Sequence, residues 1–126
     1  MTSSLIEELR RLAAQSAPEE CCGLLLGDEP LAVAQSCANV SDEPRRRFEI
    51  DPVALIAAHK AERAGGPRLA GYFHSHPEGP AEPSFTDRAL ASGDGRVWAI
   101  VGAGEVRFWR DGAGGLELLS TVVTDG

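Results

Sequence analysis

The sequence predicts a mixed α/β fold in which two main helices pack on a curved sheet and a short helix follows a proline-rich loop. Three observations lead to this prediction: two segments carry apolar residues at helical spacing, one alternates like a strand, and glycine-rich turns separate the last apolar segments. The chain has 126 residues, 43% of them hydrophobic. We therefore expect a single domain over residues 1–126 with its own core.

The first predicted element is an amphipathic helix near the start of the chain. Apolar residues recur at helical spacing over 5–13, and Ser4 stands three residues before Glu7, as in a capping box. Pro18 is expected to end this helix, because proline cannot continue a helical hydrogen-bond ladder.

Extended segments and a second helix follow. Asp51-Pro52 is a helix-start signal, since aspartate accepts at the N-cap and proline is tolerated at the first helical position. This helix is expected to run to Ala64, ahead of a Gly-Gly-Pro stop. The extended segments before it are predicted at 20–27 and 31–38, joined as a hairpin, and at 45–50.

The second half of the chain predicts a strand, a rigid loop and a short helix before the last strands. Residues 69–76 alternate in strand fashion, and three prolines and one glycine within residues 77–83 exclude a continued strand. A short helix is expected over 86–91. Closing antiparallel strands are predicted at 97–101, 106–110 and 116–123.

Composition excludes several classes of function. Twelve basic against 19 acidic residues give a net charge of −7 and a pI near 4.9, which argues against nucleic acid or an anionic membrane as partner. We expect a cytoplasmic protein, because neither a secretory leader nor a membrane-spanning apolar run is recognisable. Three cysteines, an odd number, indicate no disulfide framework.

Two histidines lie two residues apart on the predicted strand 69–76. The side chains of His74 and His76 leave the same face of a strand, so both imidazoles can reach one metal ion. Asp87 follows 87 − 76 = 11 positions later, and two histidines with one carboxylate leave a tetrahedral position open, as in catalytic zinc sites. Glu20 is the candidate carboxylate for relaying a proton.

Each of these residues also has a simpler structural interpretation. A His-x-His pair by itself is more often a solvated pair than a ligand pair, and Ser84 with Asp87 fits a helix capping box. Glu20, beside Glu19, is compatible with a plain surface carboxylate. The residues taken one by one leave both interpretations open.

Three segments together carry a more specific pattern: Glu20-Cys21-Cys22-Gly23, His74-Ser75-His76-Pro77 and Ser84-Phe85-Thr86-Asp87. This combination resembles the JAMM motif of the MPN (Mov34/PAD-1) metalloprotease family, in which a glutamate precedes His-Ser/Thr-His, seven residues of which the first is Pro, Ser, two residues and Asp. The offsets of 84 − 76 = 8 and 87 − 76 = 11 residues match. The resemblance implies an MPN-type, cytidine-deaminase-like domain of the short prokaryotic kind.

The resemblance also implies a set of roles for the matching residues. His74, His76 and Asp87 would bind one Zn²⁺ per chain. Glu20 would act as general acid/base, and Ser84 would stabilise the oxyanion of a tetrahedral intermediate. The implied enzyme is a zinc metallopeptidase acting on peptide or isopeptide bonds.

Short prokaryotic members of the family are associated with hydrolysis at the C-terminal Gly-Gly of ubiquitin-like sulfur carriers. The resemblance therefore implies a ubiquitin-like or sulfur-carrier protein with a Gly-Gly C-terminus as partner. We expect the edge of the strand over 69–76 to add this tail as an extra strand. A bulky residue at Gly71 is accordingly expected to raise KM.

Two other classes of function stay open at this point. A non-catalytic MPN-type interaction module would dock a carrier protein without cleaving it. A cysteine hydrolase would use Cys21 or Cys22 with a histidine, although both are more simply small core residues. The sequence is compatible with a monomer or a homodimer.

Overall fold

The computed structural model of the protein describes residues 1–126, and its elements are α1 (Ser3–Ser16), β1 (Cys22–Leu26), β2 (Val33–Cys37), α2 (Pro52–Arg63), β3 (Leu69–His76), α3 (Phe85–Leu90), β4 (Val97–Gly102), β5 (Glu105–Gly112) and β6 (Gly115–Leu118). The strands form one open sheet in the order β2-β1-β3-β4-β5-β6. The predicted α/β class and the three helices are confirmed.

Each face of the sheet has its own apolar cluster. Helix α1 contributes Leu5 and Leu9 to one cluster, where they are buried together with Phe73 and Phe108. The opposite cluster contains Trp98 and three other strand residues, Ile100, Trp109 and Leu116. Because side chains alternate along β3, Phe73 faces α1, whereas His74 and His76 face the second cluster.

The start of α1 differs from the prediction. The N-cap is Thr2, whose side chain accepts a hydrogen bond from the Leu5 amide at 3.1 Å, so the capping box expected at Ser4 and Glu7 is wrong. Thr2 is extended because it forms a bridge with Thr124 near the other end of the chain. This long-range pairing places the helix start before Ser4.

Two predicted extended segments are also corrected. Residues 45–50 form no strand, because the Arg46 and Arg47 amides donate to the Glu43 carbonyl in a turn, and only Ile50 makes an isolated bridge. Strand β6 ends at Leu118 instead of Val123. The last three strands pair antiparallel with one another as predicted, and β4 runs parallel to β3 on its other side.

Strand β3 lies in the middle of the sheet, between β1 and β4. Both of its edges are therefore hydrogen-bonded, and the expectation that the edge over 69–76 is free for a substrate tail is wrong. Gly71 is fully enclosed there: a Cβ added to it would lie 1.8 Å from the Val97 carbonyl oxygen. Its small size serves the close approach of β3 and β4, not a substrate.

We expect Gly71→Ala to destabilise the fold by more than about 2 kcal/mol, because the added methyl group forces β3 and β4 apart. Urea denaturation of metal-free protein measures the loss. Gly114→Ala is the matched control, since a Cβ there meets no atom within 4 Å. Equal stability of the two variants would contradict this account of Gly71.

None of the three helices combines the length and the apolar composition that crossing a bilayer requires.

Candidate active site

The end of β3 and the start of α3 bring three candidate ligand atoms together. His74 Nε2 lies 3.2 Å from His76 Nε2, and Asp87 Oδ2 lies 2.9 Å and 3.0 Å from these two nitrogens. His74 and Asp87 are buried, and His76 is half-buried. The eleven-residue separation of His76 and Asp87 in sequence thus closes to hydrogen-bond distance.

The capping box at the start of α3 orients Asp87. The Ser84 hydroxyl accepts a hydrogen bond from the Asp87 amide at 3.0 Å, and Asp87 Oδ2 accepts one from the Ser84 amide at 2.9 Å. The Ser-x-x-Asp sequence can therefore cap the helix and contribute to the candidate metal site in one geometry. The carboxylate that caps the helix is the same one that faces the two histidines.

Hydrogen bonding determines which nitrogen of His76 carries a proton. Its Nδ1 lies 2.9 Å from the Pro80 carbonyl oxygen, which can only accept, so Nδ1 donates. A neutral His76 then carries its lone pair on Nε2, the atom that faces His74 and Asp87. The proline-rich loop thereby presents His76 in the tautomer that binds metal through Nε2.

The three groups influence one another's protonation. Burial lowers the pKa of His74, which favours the neutral imidazole. Burial also opposes charge on His76 and Asp87, yet the hydrogen bonds between them outweigh it: the pKa of His76 is raised, and that of Asp87 falls well below its ordinary value. At neutral pH the carboxylate is ionised and His74 is unprotonated, the states in which these groups bind a metal.

Glu20 approaches this cluster from the other side, on the segment between α1 and β1. It is buried, with 6% of its surface exposed, and a carboxylate oxygen lies within 4.8 Å of a ring nitrogen of both His74 and His76. Burial, assisted by the negative charge of Asp87 and opposed by His76, raises its pKa to about 7. The interpretation of Glu20 as a plain surface carboxylate does not fit this position.

The raised pKa predicts how pH affects the stability of the metal-free protein. The folded protein holds the Glu20 proton more tightly than the unfolded chain does. The protonated carboxyl therefore makes its full contribution to the free energy of unfolding below pH 4.5, and this contribution is lost as pH rises through about 7. We expect metal-free Glu20→Gln to be more stable than wild type by about 3 kcal/mol at pH 8 and equally stable at pH 4. Urea denaturation at both pH values measures the difference, and a difference independent of pH would contradict the assignment.

The residues present fit a zinc ion. Four ligands at zinc–nitrogen and zinc–oxygen distances of about 2.0 to 2.1 Å lie about 3.3 Å from one another in a tetrahedron. His74, His76 and Asp87 present three such atoms at 2.9 to 3.2 Å. The Glu20 carboxylate lies beside these atoms, within 4.8 Å of the two histidine nitrogens.

The cysteines are poorly suited to nucleophilic catalysis. Burial raises the pKa of Cys22 to about 12 and that of Cys21 above its ordinary value, so both thiols are protonated at neutral pH. The Cys22 thiol lies against backbone carbonyls of Cys37 and Ala38. This environment disfavours the cysteine-hydrolase hypothesis and fits small core residues.

Sequence reasoning missed the residues that surround the two histidines. The Phe48 ring stacks on His74 with centroids 4.2 Å apart, and Trp98 meets His74 edge to face at 5.8 Å. Pro80 supplies only a backbone carbonyl. No local pattern marks these residues, because their contacts with His74 and His76 come from distant parts of the chain or from the main chain.

Comparison with known proteins identifies the family. A family model described as prokaryotic homologs of the JAB domain matches residues 2–112. The chain belongs to this family. The desampylase of Haloferax volcanii is 38% identical over 100 residues, which cover 77% of this chain and 72% of the relative. The resemblance to short prokaryotic JAMM/MPN proteins is confirmed.

Two further similarities support the family and its fold. A probable TtuB-protein conjugate cleaving protease of Thermus thermophilus is 39% identical over 83 residues, 66% of this chain and 56% of that relative. A JAB1/MPN domain protein from Archaeoglobus fulgidus shares the fold, with a TM-score of 0.63, 18% identity and coverage of 98% of this chain and 93% of that one. This JAB family member is a hydrolase of the MPN fold.

Proposed function

We propose that this protein is a zinc-dependent metallopeptidase or isopeptidase that cleaves at the C-terminal Gly-Gly tail of a ubiquitin-like or sulfur-carrier protein. The observation that carries the proposal is the convergence of three ligand atoms within 3.2 Å, with the buried Glu20 carboxylate beside them. The names of the Haloferax and Thermus relatives support a ubiquitin-like or sulfur-carrier conjugate as substrate.

In this proposal His74, His76 and Asp87 hold the metal. A bound zinc ion supplies Lewis acidity, which polarises a substrate carbonyl and lowers the pKa of water towards about 7. The Ser84 amide and the Pro80 carbonyl hold Asp87 and His76 in their orientations. Such outer contacts fix ligand geometry before the substrate arrives.

Glu20 moves the proton. Its pKa of about 7 lets the carboxylate accept a proton from the attacking water and return it to the leaving amine near neutral pH. Its carboxylate makes no hydrogen bond to another group of the protein, so both oxygens are available to the reactants.

Ser84 stabilises the charge that develops on the substrate carbonyl oxygen. Its oxygen already accepts the Asp87 amide proton, so the hydroxyl hydrogen is free to point away from the helix. Ser84 is exposed at the mouth of the site, where a substrate can approach. A positioned donor of this kind contributes about 3 kcal/mol to an oxyanion transition state.

The test uses the zinc-loaded protein and a ubiquitin-like protein whose Gly-Gly terminus is joined to a reporter peptide, with a second substrate joined through a lysine side chain. Mass spectrometry identifies the cleaved bond. Cleavage after Gly-Gly that stops on chelation supports the proposal, whereas binding of the carrier without cleavage would indicate a docking module.

A further inference from the structure

A loop closed on itself lies beside the site. Its ends meet in the bridge between Asn39 and Ile50, and the Val40 amide donates to the Glu49 carbonyl at 2.9 Å. We refer to residues 39–50 as the 39–50 loop. The function proposed above assigns no role to this segment, although it approaches the site at two points.

The side-chain amide of Asn39 organises the loop. Its nitrogen donates to the backbone carbonyls of Glu20 at 3.0 Å and Arg47 at 3.1 Å. Its oxygen accepts the amides of Ser41 at 3.1 Å and Glu49 at 3.0 Å. Both the nitrogen and the oxygen of the Asn39 side-chain amide are thus hydrogen-bonded, and Asn39 joins the loop to the Glu20 backbone.

The position of Glu20 depends on its backbone contacts. Its amide donates to the Pro44 carbonyl at 2.7 Å, and its carbonyl accepts from Asn39. The next residue, Cys21, donates its amide to the Ser75 hydroxyl at 2.8 Å. Because no protein group holds the Glu20 carboxylate itself, these backbone bonds determine where it lies.

The same loop also supports a candidate metal ligand. Phe48, which follows Arg47, stacks on His74 with an interplanar angle of 20°. The Asn39 bond to the Arg47 carbonyl restrains the backbone next to this ring. One amide side chain therefore restrains both the proton-transfer group and an aromatic neighbour of His74.

We propose that Asn39 is a positioning residue for the reaction, whose side-chain amide fixes the Glu20 backbone and the 39–50 loop. This inference rests on the proposed role of Glu20 in proton transfer. An error of about 1 Å in the position of a reacting group lowers the rate by up to about a hundredfold. Asn39 acts on Glu20 through the main chain and does not touch the substrate.

The kinetic test compares Asn39→Ala, Asn39→Asp and the control Ser41→Ala in the zinc-loaded protein. Ser41 belongs to the same loop, and its hydroxyl accepts the Glu43 amide without contacting Glu20. We expect kcat to fall about 10-fold to 100-fold in both Asn39 variants with KM changed less than about twofold. Asn39→Asp keeps an acceptor oxygen but cannot donate to Glu20, so restoration of kcat by aspartate would overturn the proposal.

A second readout does not depend on activity. In metal-free Asn39→Ala, hydrogen exchange at the Glu20 amide should accelerate about 10-fold or more, while amides of β3 and β4 keep their protection. Unchanged exchange at Glu20, or a loss of kcat in Ser41→Ala as large as in Asn39→Ala, would overturn the proposal.

The outcomes separate this inference from the proposed function. If the zinc-loaded wild type cleaves no Gly-Gly-tailed substrate, the proposed function fails, and the exchange experiment still decides whether Asn39 holds Glu20. If the wild type cleaves and Asn39→Ala cleaves equally well, the positioning role fails and the proposed function stands.

Discussion

Glu20→Gln should lower kcat about a thousandfold for a Gly-Gly-tailed substrate and leave zinc bound. Glutamine keeps the size of the side chain but cannot accept and return a proton, and general acid–base groups contribute about 10² to 10⁴ in rate. The buried position of Glu20 within 4.8 Å of both histidines suits this proton transfer. Steady-state kinetics with zinc quantified in the same samples measures the effect.

Glu19→Gln is the matched control, since the preceding residue is also a glutamate and is exposed. It should leave kcat within about twofold of wild type, because exposed charges contribute little to a reaction that they do not contact. Full activity of Glu20→Gln would remove Glu20 from the mechanism. Loss of zinc together with activity would instead indicate that Glu20 is a metal ligand.

Removal of both candidate histidine ligands should abolish zinc binding. We expect about one equivalent of zinc per chain in the wild type and none in His74→Ala/His76→Ala. Saturating zinc at about a thousand times Kd should stabilise the wild type by about 4 kcal/mol and leave the melting temperature of the double variant unchanged. Elemental analysis and thermal melts with and without zinc provide the two measurements.

His59→Ala is the control for histidine replacement, because His59 lies on α2 and belongs to no metal-binding cluster. It should bind zinc as the wild type does. Asp87→Asn covers the case in which the double variant does not fold, and it should weaken zinc binding by at least about tenfold. Equal zinc in the wild type, the double variant and Asp87→Asn would contradict the proposed ligand set.

The parts of the fold set by local sequence were predictable. The alternation over 69–76 and the Asp51-Pro52 start of α2 reproduce β3 and the second helix within one residue. These signals come from side-chain periodicity and capping, which act over a few residues. The α1 N-cap was misplaced because Thr2 pairs with Thr124, across almost the whole chain.

The candidate site was predictable to a similar extent. Two histidines at alternate strand positions must share a face, and the Ser84-x-x-Asp87 spacing must form a capping box if a helix starts there. By contrast, Phe48 and Asn39 carry no local signal for their contacts with His74 and Glu20. Those contacts arise only when the 39–50 loop folds back beside β1 and β3.

By itself, the sequence determined the chemistry available to this protein: the types of candidate ligand, the spacing that aligns His74 with His76, and the helix cap that contains Asp87. Only the tertiary structure decided where Glu20 lies and that β3 occupies the centre of the sheet, closed to a substrate strand. The physical reason is the sequence separation over which each kind of interaction acts. Periodicity and capping act between residues a few positions apart, whereas strand order, burial and the raised pKa of Glu20 depend on groups brought together from the whole chain.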